Sequence, residues 1–309
     1  MASDFDAHSF LAGCLPELTR SAVQRLLAEG GVTCGGAPVR KNARTEAGAV
    51  YAVTLPEARP VETAAQDIPL DIVYEDEHIL LINKPSGMLS QKAKETDESL
   101  VEYLIDYLLD SGKLKKEDLA CFRPSVCNRL DRNTSGIVAA GRSLPGLQIM
   151  SEVIKDRSLG KYYVCVVRGI VKGEARIEGW LTKNEKTNQV SIRKEETPGS
   201  LPIRTAYRPL VSGNGYTLLE VHLITGRSHQ IRAHLAYLGH PVLGDIKYGN
   251  RNMNEKTEFK TQALCAQRLT FGNIPEGNTL HYLSGRVIKL ADPEIVKQFD
   301  ALERKPGQE

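Results

Sequence analysis

One carboxylate stands out because of its immediate neighbours. In the stretch CNRLDRNTSG, residues 127–136, Asp131 lies between Arg129 and Arg132 and is followed by residues that form turns. A carboxylate on a tight loop can be aimed into a cleft, and nearby cations keep it ionised and available as a nucleophile or a base. The same pattern is also typical of a salt-bridged aspartate that stabilises a turn, so this stretch alone leaves both interpretations open.

A second candidate stretch, LITGRSHQIRAHL, covers residues 223–235 and is expected to form a strand, a Thr-Gly turn and a helix. Arg227 falls at the turn, where the end of the strand would hold it rigidly. His229 and His234 are five residues apart, whereas two histidines that bind one zinc ion on a helix are spaced i,i+4. We therefore expect no metal site here, and packing or hydrogen-bonding roles for both histidines.

A third stretch, KYYVCVV at residues 161–167, has the composition of a buried strand. Tyr163 would share one face of this strand with Cys165 and Val167, and Tyr162 would point to the other face. At most one of the two tyrosines can therefore face a given pocket. An aromatic residue in the sheet core is the simpler interpretation of either one.

The elements around these motifs indicate the fold class. Strands are expected at four places and helices at two; the strands are 79–82, 137–140, 162–167 and 218–224, and the helices start at Ser99 and Ser228. Because strands and helices do not alternate regularly, we expect an α+β domain with a mixed, mostly antiparallel sheet and a central cleft.

The first part of the chain has its own signals for the start and end of helices and strands. Thr19 can cap a helix that Gly30 and Gly31 end, and a hairpin at 32–40 and a closing strand at 49–55 follow. This pattern resembles the S4 RNA-binding module. The domain boundaries that we predict are 1–58 for this S4-like α/β module, 59–68 for a linker, 69–303 for the catalytic domain and 304–309 for a C-terminal tail.

Composition excludes several classes of protein. Hydrophobic residues make up 41% of the 309 residues and charged residues 25%, which is enough to bury a core and excludes a disordered chain. No apolar run approaches the roughly 18–20 residues that span a bilayer, and the first residues do not resemble a secretory signal. The six cysteines are scattered, with no CxxC. We therefore expect a cytoplasmic protein with reduced thiols and no membrane partner.

Charge is segregated along the chain although the net charge is only +2. Residues 61–120 hold 14 acids and 6 lysines, a net charge of −8, whereas residues 121–172 hold 9 basic and 3 acidic residues, a net charge of +6. A basic segment beside a cleft suits a polyanion such as nucleic acid. A solvent-exposed surface that binds no ligand could carry the same net charge.

Four strings occur together and in order: NKPSG, NRLDRNTSG, KYYVCVVRG, and TGRSHQIRAHLAYLGHPVLGD followed by IKYG. In this combination the chain, over about residues 70–275, resembles the RluA-type family of RNA pseudouridine synthases. The resemblance implies an isomerase that converts uridine in RNA to pseudouridine without a cofactor. It also implies catalytic roles for Asp131, Tyr163 and Arg227, with Arg227 paired to Asp131, and implies that Arg129 replaces the flipped base.

The implied partner is RNA, with ribosomal RNA expected ahead of transfer RNA because of the S4-like module. Within that module we expect phosphate contacts from Arg20, Arg25 and Lys41. A monomer is expected. Asn128 and Cys265 depart from the residues that are more usual in the family, which bears on the subgroup and the RNA rather than on the reaction.

Two other interpretations compete with this one. A non-catalytic RNA-binding protein could use the same cleft, with Asp131 in a structural role. A glycoside or nucleoside hydrolase would need a second carboxylate beside Asp131. Among the motif cores only Asp245 could supply it.

Overall fold

The structure is a computed structural model, and it describes residues 6–15, 18–55, 68–249 and 259–304. Only residue 68 of the predicted linker at 59–68 is described, and only residue 304 of the predicted tail at 304–309. The rest of both segments lies outside the described residues. Among the described residues, no helix has both the length and the apolar character needed to cross a bilayer.

The N-terminal unit has two helices and a small antiparallel sheet. Its elements are α1 Ala7–Cys14, α2 Arg20–Ala28, β1 Val32–Cys34, β2 Ala37–Pro38 and β3 Tyr51–Val53. As predicted, Thr19 caps α2, with its side chain accepting a hydrogen bond from the Ala22 N–H at 3.0 Å. The apolar stripe of α2 is buried against β1, so this unit has a core of its own.

The N-terminal unit also contacts the rest of the chain. The Arg25 side chain donates from Nη2 to the carbonyl of Ala120 at 3.0 Å. The neighbouring Cys121 packs against the hydrophobic core of the N-terminal unit. Arg25, which we predicted to bind RNA, therefore joins the two units in this structure.

The larger unit is built on one long sheet. Its strands in the described residues are β4 Ile72–Glu75, β5 Ile79–Lys84, β6 Ser125–Val126, β7 Ser135–Gly141, β8 Leu159–Arg168, β9 Ala175–Asn184, β10 Gln189–Arg193, β11 Leu201–Gly213, β12 Tyr216–Leu223, β13 Leu264–Phe271 and β14 Val287–Lys289. The main order is β10-β9-β11-β12-β8-β13-β7-β5-β4, with β6 beside β7 and β14 beside β13. Only β7 and β13 pair in parallel among these described strands, which confirms the mixed, mostly antiparallel α+β fold.

Four α-helices accompany this sheet in the described residues: α3 Leu100–Asp110, α4 Leu144–Lys155, α5 Gln230–Tyr237 and α6 Glu294–Arg304. Two short 3₁₀ helices lie at Glu117–Ala120 and His281–Leu283. The predicted start of α3 at Ser99 is confirmed by a capping box with Glu102. The apolar face of α3 is buried against the strands.

The parallel pair of β7 and β13 depends on one glycine. Gly136 has φ +108°, a conformation that side chains disfavour, and a Cβ at this position would collide with the backbone of Ala266. Because Gly136 is the last residue of the NRLDRNTSG string, this close approach holds the loop that carries Asp131 against the centre of the sheet.

Candidate active site

Asp131 lies on the loop that joins β6 to β7, and a buried lysine holds this loop in place. The Lys84 ammonium group at the end of β5 donates to three backbone carbonyls, those of Pro85 at 2.8 Å, Met88 at 2.8 Å and Arg132 at 3.0 Å. Lys84 is fully buried. Burial lowers the pKa of its ammonium group to about 8, although the charge of Asp131 opposes this. Lys84 lies in the NKPSG string but is not among the predicted site residues.

Further hydrogen bonds from the turn after β5 hold the chain on both sides of Asp131. The Ser90 hydroxyl oxygen lies 3.0 Å from both the N–H and the carbonyl oxygen of Leu130. The Gly87 N–H donates to the carbonyl of Arg132 at 2.9 Å. The backbone of Asp131 is therefore fixed before and after the residue, which is the preorganisation that a catalytic carboxylate needs.

The Asp131 carboxylate is oriented by Arg232, which lies on α5. Arg232 donates from Nη1 to Oδ2 of Asp131 at 2.7 Å. The other side of the guanidinium group binds Asp245, from Nε to Oδ2 at 2.6 Å and from Nη2 to Oδ1 at 2.9 Å. Burial acts to lower the pKa of Arg232, but the hydrogen bonds and charges of Asp245 and Asp131 outweigh it and raise the pKa. Arg232 is therefore a permanent cation between two carboxylates.

Asp245 has a positioning role in this arrangement. It is buried, and in addition to Arg232 it accepts the backbone N–H groups of Lys247 at 2.9 Å and Tyr248 at 3.2 Å. Burial acts to raise the pKa of Asp245, but the bonds and charge of Arg232 lower it overall. Because both of its oxygens are engaged, Asp245 is not placed to be the second catalytic acid that a hydrolase would require.

The pairing that we predicted for Arg227 is made by Arg232 instead. Arg227 lies exposed on the turn before α5, and within the described residues its side chain makes no bond to Asp131. The reason is local backbone geometry, because His229 adopts a left-handed φ of +54° and α5 begins at Gln230 rather than at the predicted Ser228. The first turn of α5 then points Arg232, not Arg227, at Asp131.

The two tyrosines of β8 lie on opposite faces, as strand alternation predicts. Tyr162 stacks on His222, with ring centroids 4.4 Å apart. Arg268 also covers the Tyr162 ring, with its guanidinium carbon 3.7 Å from the ring centroid. Tyr163 is buried on the other face. Burial raises the pKa of Tyr163, and the nearby charge of Asp131 raises it further. Of the two tyrosines, Tyr163 is therefore the one that the charge of Asp131 reaches.

The predicted RNA-binding cations differ in exposure. Arg129, two residues before Asp131, is exposed, and the neighbouring Asn128 accepts the Ala139 N–H at 2.7 Å. Arg20 and Lys41 are exposed on the N-terminal unit. These three side chains are open to a ligand.

Residues 78–237 match the family model described as RNA pseudouridylate synthase. The chain belongs to this family. A ribosomal large subunit pseudouridine synthase D of Zymomonas mobilis is 30% identical to this synthase over 300 residues, which cover 94% of this chain and 90% of the relative. An uncharacterized RNA pseudouridine synthase of Chloroflexus aurantiacus is 38% identical over 245 residues, which cover 78% of this chain and 74% of the relative.

Solved structures show the same fold. The human protein RNA pseudouridylate synthase domain containing 4 matches with a TM-score of 0.60 at 19% sequence identity, covering 75% of this chain and 92% of that one. The family model and the sequence relatives confirm the predicted RluA-type family and its activity. The protein is an RNA pseudouridine synthase, an isomerase that acts on uridine in RNA.

Proposed function

We propose that this synthase modifies large-subunit ribosomal RNA and that Asp131 is its catalytic carboxylate. The observation that carries the proposal is the Asp131 side chain, whose Oδ2 is held by Arg232 while Oδ1 lies 3.9 Å from Nε2 of His229. Relatives from Zymomonas mobilis and Xylella fastidiosa, at 30% and 32% identity, bear the name of ribosomal large subunit pseudouridine synthase D. Their names support ribosomal RNA ahead of transfer RNA as the substrate.

The reaction is an isomerisation in which the bond between N1 and C1′ breaks, the uracil rotates, and C1′ bonds to C5. The C5 proton is lost and a proton is gained at N1, so no atoms are added overall. Asp131 either deprotonates C2′ or adds to a carbon of the nucleotide. Both routes require a carboxylate with an accessible oxygen, and Arg232 orients the Asp131 carboxylate for this task through its hydrogen bond to Oδ2.

Tyr163 would pack against the target uracil. Its raised pKa keeps the phenol protonated at neutral pH, so it can stack and donate a hydrogen bond but cannot act as a base in its resting state. A uridine within a helix must first be flipped out, at a cost of a few kcal/mol. The planar guanidinium group of exposed Arg129 would fill the vacated place in the stack and offset part of that cost.

The N-terminal unit would add contacts to the RNA backbone through Arg20 and Lys41. Its separate core supports the division into domains at 1–58 and 69–303. Phosphate contacts of this kind make binding sensitive to salt.

The experiment that tests the proposal maps pseudouridine by carbodiimide labelling and primer extension in cells that lack this gene. The cells are complemented with wild type, Asp131→Asn, or the control Asp110→Asn, which changes an exposed aspartate at the end of α3. We expect sites in large-subunit ribosomal RNA that wild type and the control restore and Asp131→Asn does not. Restoration by Asp131→Asn would instead support a non-catalytic RNA-binding protein, and sites confined to transfer RNA would overturn the proposed substrate.

A further inference from the structure

A small gap lies beside the free oxygen of the Asp131 carboxylate. Nε2 of His229 is 3.9 Å from Oδ1 of Asp131, which is too far for a direct hydrogen bond. Within the described part of the chain, Oδ1 accepts no hydrogen bond, whereas Oδ2 accepts one from Arg232. The His229 side chain is 11% exposed and the Asp131 side chain 28% exposed, so the gap is walled by His229 and reachable beside Asp131.

The His229 ring is held in place on its other side. Its Nδ1 lies 2.8 Å from the hydroxyl oxygen of Tyr248, and the two rings meet edge to face with centroids 5.6 Å apart. The left-handed backbone of His229, with φ +54°, is uncommon for a residue that is not glycine. Such a conformation persists where the surroundings enforce it, and it often marks a functional position.

The contacts of Tyr248 bear on which ring nitrogen of His229 carries the proton. The Tyr248 hydroxyl oxygen accepts the backbone N–H of Val190 at 2.9 Å and lies 2.8 Å from Nδ1 of His229, so Tyr248 can donate its own proton to Nδ1. A neutral His229 then carries its proton on Nε2, the nitrogen that faces Asp131. The gap is therefore bounded by an N–H donor and a carboxylate acceptor.

Charges around His229 are consistent with a neutral ring. Burial lowers the pKa of His229, and nearby Arg232 and Lys247 lower it further, while Asp131 and Asp245 oppose this shift without cancelling it.

A hydroxyl group fits this gap. An oxygen about 2.8 Å from both boundary atoms would make two hydrogen bonds at an angle of about 90°, accepting from Nε2 and donating to Oδ1. Within an RNA strand the 3′ and 5′ oxygens are esterified, so the 2′-hydroxyl is the only free ribose hydroxyl. It is attached to C2′, next to the carbon at which the uracil is exchanged.

We propose that His229 and Oδ1 of Asp131 together bind the 2′-hydroxyl of the target uridine. His229 is then a further catalytic residue that contacts the substrate and selects ribose over deoxyribose. This inference rests on the proposed function of Asp131 and adds the sugar group that the site recognises.

The test uses a synthetic stem-loop RNA that contains the mapped target, made with either uridine or 2′-deoxyuridine at that one position. The wild type and His229→Asn are compared by single-turnover conversion and by dissociation constants for both RNAs. Asparagine tolerates the left-handed backbone but does not place a donor where Nε2 lies. We expect the preference for uridine over 2′-deoxyuridine to fall at least about tenfold in His229→Asn. The intrinsic effect of the missing hydroxyl on reactivity is present in both proteins and cancels in this comparison.

Two further variants keep the result interpretable. Tyr248→Phe removes the hydroxyl that orients His229 and should lower the same preference by a smaller factor. His240→Asn, which changes a histidine bonded to the carbonyl of Arg168, should leave the preference unchanged. If His229→Asn converts neither RNA, its preference is taken from the ratio of its dissociation constants for the uridine RNA and the 2′-deoxyuridine RNA.

A folded His229→Asn variant with the wild-type preference overturns the assignment of His229. A failure of the proposed function would look different, because Asp131→Asn would then still convert the all-RNA stem-loop.

Discussion

The active site and the N-terminal unit hold their cations in opposite ways. Lys84 and Arg232 are buried, and each is bonded to acceptors that the fold places around it. Arg20 and Lys41 lie exposed on the surface of the N-terminal unit. A buried cation organises its partners and leaves them unpaired when it is removed. A surface cation acts through a field that salt screens.

The strongest test of this comparison is Arg232→Gln. This change removes the guanidinium charge that lies against buried Asp245, and it frees Asp131 to rotate. The free energy of unfolding should fall by about 3–5 kcal/mol, and kcat should fall by about 100-fold or more. Denaturant unfolding and single-turnover kinetics measure the two effects. The matched control is Arg227→Gln on the exposed turn, whose unfolding free energy should stay within about 0.5 kcal/mol of the wild type. Equal losses of stability in both variants would contradict the pairing described above.

A smaller effect on stability is expected from Lys84→Met, because three backbone carbonyls lose their donor. The free energy of unfolding should fall by about 2 kcal/mol at pH 7. The pKa of Lys84 is lowered to about 8 in the folded protein from a reference value of 10.5. Between these two values the unfolded chain binds a proton that the folded protein has lost, so this group adds stability as the pH rises.

The difference in stability between wild type and Lys84→Met should therefore grow between pH 8 and pH 10.5 and stay constant below pH 8. Urea unfolding of both proteins at pH 7 and at a pH near the upper value tests this. A difference that shrinks as the pH rises would show that the buried ammonium group is not held as described.

The smallest effect on stability is expected from the double variant Arg20→Ala and Lys41→Ala. Its unfolding free energy should change by less than about 0.5 kcal/mol. Its affinity for RNA should fall several-fold, and the slope of log K against log salt should decrease by about 1 for each phosphate group that the variant no longer binds. Gln24→Ala on the exposed face of α2 is the control and should leave the slope unchanged. An unchanged slope in the double variant would remove these two residues from the RNA interface.

Much of the secondary structure could be predicted from the sequence because local chemistry decides it. Thr19 begins a helix because its side chain accepts the Ala22 N–H, and at Ser99 the Glu102 carboxylate accepts the Ser99 N–H. The strand predicted at 79–82 lies within β5, and strand alternation alone separates Tyr162 from Tyr163. The motif strings also predicted a shared site for Asp131 and Tyr163.

Other features of the site could not be predicted in this way. Arg227 and Arg232 stand in the same string, and both have a side chain that could pair with Asp131. The left-handed turn at His229 decides between them. In the sequence, Asp245 was only a candidate for a second carboxylate beside Asp131. Its ion pair with Arg232 requires the loop after α5 to fold back on that helix.

The sequence by itself determined the family, the reaction class, and the main strands and helices, and it predicted the carboxylate at the centre of the candidate site. These depend on residue types, short-range periodicity and strings of neighbouring residues. Only the tertiary structure decided how charge is distributed around Asp131. Arg232 lies 101 positions from Asp131 along the chain, and Lys84 reaches a carbonyl 48 positions away. Contacts over such separations form only when the sheet brings distant loops together, so no local pattern encodes them.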